Sequence, residues 1–123
     1  MSFSFNNNSP IYQQLSDMMR HAILAEDIRE EEAIPSVRHL SVEYGVNPQT
    51  VLKATQDLIL EELIEKRRGL GMFVKKGAVK VLREQQKNEF LKKRLPELIK
   101  IAKVLGFTRS ELNKEIDQLL KGE

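Results

Sequence analysis

Ile11, Leu15, Met18 and Ala22 recur at spacings of four, three and four residues, which places them on one face of an α-helix. Ser9-Pro10 stands just before them, offering a capping hydroxyl and a proline suited to the first helical position, so a helix is expected to begin there. The periodicity fails across the acidic stretch from Glu26 to Glu32, which reads as a loop. Ala33-Ile34 precedes Pro35, and proline pushes its predecessor out of the helical region, so these residues are expected to be extended, with room for a short strand. Ser36 can then cap a second helix with Val37, Leu40 and Tyr44 inward, closed by Gly45 in the left-handed conformation that ends helices. Asn47 and Pro48 open a third helix at once, with Val51, Ala54 and Leu58 as its buried stripe.

Gly45-Val46-Asn47-Pro48 therefore stops one helix and starts the next within four residues. Helices joined so tightly must cross steeply, with Val46 as a plug at the corner, and that is a helix-turn-helix. The face of the third helix opposite its apolar stripe carries Gln49, Lys53 and Gln56, with Thr50 and Leu52 beside them and no acid before Asp57. Such a face can enter a major groove: glutamine can pair with adenine, threonine can bond bases or phosphates, and Leu52 can touch a thymine methyl. An ordinary αα-hairpin with a solvated face is the alternative at this point.

The next segment favours the first reading. Leu63 to Lys66 and Met72 to Lys75 are short strand-like runs flanking Arg67-Arg68-Gly69-Leu70-Gly71, whose glycines permit a tight hairpin. Helix, helix-turn-helix and basic hairpin in this order make a winged helix, with the hairpin set against the neighbouring DNA backbone or minor groove. The glycines do not form a phosphate loop, because neither GxGxxG nor Gly-Lys-Ser/Thr follows and the next element is a strand.

Charge changes this picture only locally. Residues 1–77 hold 9 Lys/Arg against 11 Asp/Glu and residues 78–123 hold 11 against 7, so −2 and +4 combine to an uninformative +2. Between Lys66 and Lys76, however, five basic residues occur without an acid, a patch of the kind polyanions select. With no cysteine, thiolate metal sites, cysteine nucleophiles and disulfides are excluded, and a reducing cytoplasm is the expected location. No apolar run approaches a membrane span, and MSFSFNNNSP lacks the features of a signal peptide. His21 and His39 come with no HExxH pattern or nucleophile elbow, so neither metal nor triad chemistry is expected and no cofactor is implied. Glu30-Glu31-Glu32 read as solvated loop charge.

From Ala78 the chain changes character. Leu91, Leu95, Leu98, Ala102 and Leu105 keep a 4-3-4-3 spacing, the seam of a helix that packs on another helix. Pro96 removes a backbone donor and is expected to kink this helix near Lys92. Gly106 ends it, Thr108-Arg109-Ser110-Glu111 has capping-box spacing, and Leu112, Ile116 and Leu119 form a second stripe. The expectation is a helical hairpin too small for a metabolite pocket, which favours dimerisation over a ligand site.

The strings IPSVRHL, YGVNPQTVLKA and RRGLGMFV together resemble the N-terminal domain of GntR-family bacterial transcription regulators, and the Asn-Pro pair with a short tail is similar to the YtrA-like branch. The resemblance covers roughly residues 10–120. It implies DNA contacts from Ser36 and Arg38 in the family's Pro-Ser-x-Arg motif, from Asn47, Pro48, Gln49 and Thr50 at the start of the recognition helix, and from Arg68, Gly69 and Gly71 in the wing. Many members carry arginine where this chain has Pro48 and Leu52, lysine where it has Leu70, and a glycine where Glu62 stands. Larger members place an effector domain where this chain has its tail.

The expected fold is mainly α with a small β-hairpin: a winged helix-turn-helix over residues 10–77 and a helical dimerisation tail over 78–123. The expected function is a homodimeric, sequence-specific regulator of double-stranded DNA, most often a repressor in this family, acting on an inverted repeat; no enzymatic activity or membrane partner is expected, and the sequence leaves any small-molecule effector open. A winged helix used for protein contact, or a non-specific nucleoid-type binder, is the alternative.

Overall fold

Ser36 and Asn47 set the helix starts as their side chains allow. The Ser36 hydroxyl accepts the His39 N–H at 3.1 Å and the Asn47 Oδ1 accepts the Gln49 N–H at 2.8 Å, each satisfying a donor with no partner inside the first turn. These caps begin α2 (Val37–Tyr44) and α3 (Pro48–Leu60), which follow α1 (Ile11–Leu24). Gly45 closes α2 at φ 63°, and the Ser41 hydroxyl donates to the Val46 carbonyl at 2.6 Å, fastening the corner between the helices. The structure, a computed structural model, describes residues 4–122.

Strands β1 (Ile64–Arg67) and β2 (Gly71–Val74) pair antiparallel, with Ile64 opposite Val74 and Arg67 opposite Gly71. The extended segment expected before Pro35 forms a single antiparallel bridge from Ala33 to Phe73, supported by Glu31 N–H to Val74 O at 2.8 Å and Ile34 N–H to Met72 O at 2.8 Å. Leu15, Ile23, Val51, Leu58, Leu63 and Val74 are fully buried where α1, α3 and the hairpin meet. Ala78 and Leu82, from α4 (Ala78–Glu89), join the same core, so this compact unit extends to Glu84.

Two local expectations give way. Ser9 does not cap α1: Pro10 holds the N-cap position with no side-chain cap, and buried Gln14 draws the preceding arm down, its Nε2 donating to Ser9 O at 2.6 Å and Asn6 O at 2.9 Å. Ile11 is not inward but 45% exposed, at the first turn of α1 beside the start of α3. Glu62 occupies the left-handed position after α3 at φ 62°, with Leu63 N–H reaching Leu58 O at 3.0 Å, so the helix closes as it would with glycine there.

The second unit begins at Gln85. A π-helical turn, Phe90–Arg94, separates α4 from α5 (Leu95–Val104). Pro96 has no N–H to give the Lys92 carbonyl and its ring crowds that carbonyl, and the Leu95 N–H instead reaches Phe90 O, so the disturbance expected near Lys92 is a widened turn. Gly106, at φ 83°, ends α5, and Thr108 and Glu111 form a reciprocal capping box at the start of α6 (Arg109–Lys121). Of the expected seam, Ala102 is buried while Leu91, Leu95, Leu98 and Leu105 are exposed. No helix among the described residues is long and apolar enough to cross a membrane.

Candidate nucleic-acid interface

Burying Val51, Ala54, Thr55 and Leu58 turns the other side of α3 outward. Gln49, Lys53 and Gln56 are exposed there, Leu52 is 39% exposed, and Thr50 is half-buried. Thr55, the one polar residue on the inner side, donates its hydroxyl to Leu52 O at 2.9 Å. Pro48 is the first residue of the helix and Asn47 is spent on its cap, so those two shape the end of α3. Among the described residues, the side chains of Gln49 and Gln56 make no hydrogen bond to the protein, leaving a donor and an acceptor on each.

Lys53 is held. Its ammonium lies 4.0 Å from the ring centroid of Tyr12, a half-buried residue at the first turn of α1. Ile11, Tyr12, Gln49, Thr50 and Lys53 line one concavity. The sequence reading missed Ile11 and Tyr12 as part of this surface. The available signal was an aromatic residue one position off the apolar stripe of the first helix.

The hairpin makes a second group. Leu70 N–H bonds Arg67 O at 2.9 Å with Gly69 at φ 75°, the positive value a type II turn needs at that position. Arg68 is exposed at the tip, and Lys66, Arg67, Arg68, Gly69 and Gly71 line a concavity. The patch from Lys66 to Lys76 is free of acids in sequence but not in space. Arg67 pairs with Glu65 at 3.1 Å and Glu31 at 3.3 Å and stacks on Phe73 at 4.3 Å, and Lys75 meets Glu62 at 3.6 Å. Lys66 and Arg68 remain without an acidic partner among the described residues.

Ser36 and Arg38 fall in neither group. Ser36 is committed to capping α2, whereas Arg38 is exposed on the first turn of α2 and has no ion pair among the described residues.

The acidic loop is not simply solvated. Glu30 accepts the Gly77 N–H at 2.9 Å and the Val79 N–H at 3.1 Å, capping α4 from 47 residues away. Those two hydrogen bonds, with Lys76 nearby, hold its carboxyl below the ordinary range. Glu31 pairs with Arg67, and Glu32 accepts the Arg29 N–H at 2.7 Å. Two exposed side chains, His39 and Glu43, pair at 3.0 Å one turn apart, and no cluster among the described residues has the ligands for a metal ion.

The model for bacterial regulatory proteins of the gntR family matches residues 11–74. The chain is 34% identical to the HTH-type transcriptional repressor YtrA of Bacillus subtilis (strain 168) over 119 residues, 94% of this chain and 91% of that one. Its fold matches a GntR family transcriptional regulator from Listeria monocytogenes at a TM-score of 0.71 and 25% identity, over 93% of this chain and 98% of that one. AraR(DBD), solved in complex with operator ORR3, matches at a TM-score of 0.54 and 27% identity over 60% of this chain and 89% of its own.

Proposed function

The chain belongs to the gntR family of bacterial regulatory proteins, and on that premise we propose that this transcriptional regulator, rather than enzyme, is a homodimeric repressor acting on an inverted-repeat operator. The observation that carries the reading is the exposed face of α3, where Gln49 and Gln56 keep their hydrogen-bonding groups unspent and no acid intervenes. In a major groove Gln49 reads a base edge, adenine by preference. Thr50 and Leu52 add a hydroxyl and a thymine-methyl contact.

Positioning comes from phosphate contacts. Arg38, Lys53 and Arg68 supply three exposed cations, on α2, on α3 and at the hairpin tip, and Ser36 stands two residues before the first. Gly69 and Gly71, at φ 75° and 105° and without side chains, let the hairpin tip approach a backbone closely. A single winged helix contacts too few phosphates for tight binding at physiological salt, and two copies on a palindrome add their contacts. The tail supports such a pairing: Leu98 is 56% exposed and Val104 83% exposed, an apolar surface that is costly to leave in water. Leu91, Leu95, Leu98, Ala102 and Leu105 are the seam assigned to it. AraR(DBD), solved with its operator, and the repressor YtrA are the relatives that support DNA as the ligand and repression as the outcome.

The test is a mobility-shift titration of the full chain against duplex from upstream of its own gene. A discrete complex that survives excess unrelated duplex is expected. Complexes that disappear equally into any competitor would replace this reading with a non-specific nucleoid-type binder.

A further inference from the structure

Of the exposed cations assigned to the interface, Lys53 alone is held by an aromatic ring among the described residues, and the holder belongs to another helix. Tyr12 packs against the hydrophobic core, so its ring is fixed by the fold. A lysine side chain ordinarily sweeps a wide volume on its flexible four-carbon stem, and ordering it costs entropy at the moment of binding. An ammonium over a ring face loses that freedom in advance while its remaining N–H donors stay available, because the attraction is to the ring quadrupole. Tyr12 and Lys53 also border the same concavity as Gln49 and Thr50, the two residues placed to read bases.

We infer that Tyr12 is a positioning residue of the DNA interface: its ring holds Lys53 on the α1 side of α3, where the ammonium engages a backbone phosphate and sets the register in which Gln49 and Thr50 meet the bases. This inference rests on the DNA-binding reading above. It makes the first turn of α1 part of the interface, although no charged residue of that turn marks it. The ring is the working group, not the hydroxyl, since the contact is to the ring face.

A double-mutant cycle on operator binding by the full chain tests it. Lys53→Ala is expected to reduce the slope of log affinity against log salt by about one. Tyr12→Leu should lower affinity about two- to fivefold, the factor an exposed cation–π contact is worth, and Tyr12→Phe should bind like wild type. In the Lys53→Ala background Tyr12→Leu should cost nothing more. A direct signature accompanies this: the Lys53 ε-methylene protons, shifted upfield by the ring current in wild type and in Tyr12→Phe, should return to ordinary positions in Tyr12→Leu.

Equal losses from Tyr12→Leu in both backgrounds, or a loss from Tyr12→Phe as large as from Tyr12→Leu, would overturn the inference. The upfield signature persisting in Tyr12→Leu would do the same. If wild type forms no specific complex, the DNA-binding reading itself falls and this inference falls with it; if wild type binds and the cycle is additive, only this inference falls.

Discussion

Replacing Glu62 separately by glycine and by alanine isolates the cost of a left-handed residue at the end of α3. Glu62 stands at φ 62° among the residues that close this helix, and its side chain does little else: it meets Lys75 at 3.6 Å while 74% exposed. Both replacements delete that pair, whose worth at such exposure is at most about 1 kcal/mol, so its loss cancels between them. A Cβ in the left-handed region costs about 1–2 kcal/mol in the folded state. Glycine's greater freedom in the unfolded chain takes back about 0.4–1 kcal/mol. Taking the middle of each range, the glycine variant should therefore exceed the alanine variant by about 0.8 kcal/mol, read as roughly 3–6 °C in Tm for a unit of this size. The assay is urea and thermal unfolding of both variants, with equal urea slopes confirming that the unfolded states match. Alanine equal to glycine, or above it, refutes the claim that backbone conformation governs this position.

Three further outcomes follow from the same geometry. Arg38→Ala, at an exposed residue with no ion pair among those described, should leave thermal unfolding unchanged and weaken operator binding about tenfold by removing one charge-assisted contact; calorimetry and mobility shift read the two halves. Leu98→Glu, which puts a charge on the exposed seam of α5, should give a monomer by light scattering whose first unit stays folded but whose operator affinity collapses, and a wild type already monomeric at micromolar concentration would remove the tail from dimerisation. Glu30 has a folded-state pKa below its ordinary 4.5, so its contribution is present above that value and is lost as pH falls through the folded pKa; Glu30→Gln should make the urea midpoint fall less steeply with acidification than in wild type.

What could be read from the sequence was what neighbouring residues decide. Ser36, Gly45, Asn47 and Pro48 act within a turn of themselves, and the Thr108–Glu111 box closes over three residues, so these helix ends were legible. The turn at Gly69 follows the same logic. Distant partners were not legible. Glu30 reads as a loop charge until Gly77 folds against it, Arg67 reads as a free cation until Glu31 arrives, and Tyr12 gives no hint of Lys53. The π-helical turn was hidden for a different reason. The leucine spacing around it is regular, and a proline marks a disturbance without saying whether the helix bends or widens. Of the candidate interface, the outer face of α3 was legible because helical periodicity alone sets which residues are outward.

The carboxylate of Glu30 also bears on how this chain is assembled during synthesis. It leaves the ribosome well before the amides it will cap, and the hairpin and the start of α4 must follow before the loop that carries it has its partners. Ala78 and Leu82 come later still, and they complete the core. A nascent chain that has emerged only as far as residue 74, where the family match ends, holds α1, α2, α3 and both strands yet leaves a gap in its interior and an acid without its helix. The family match and the compact unit therefore end at different places, and a fragment cut for study should run through Glu84 if it is to keep Ala78 and Leu82 in its core.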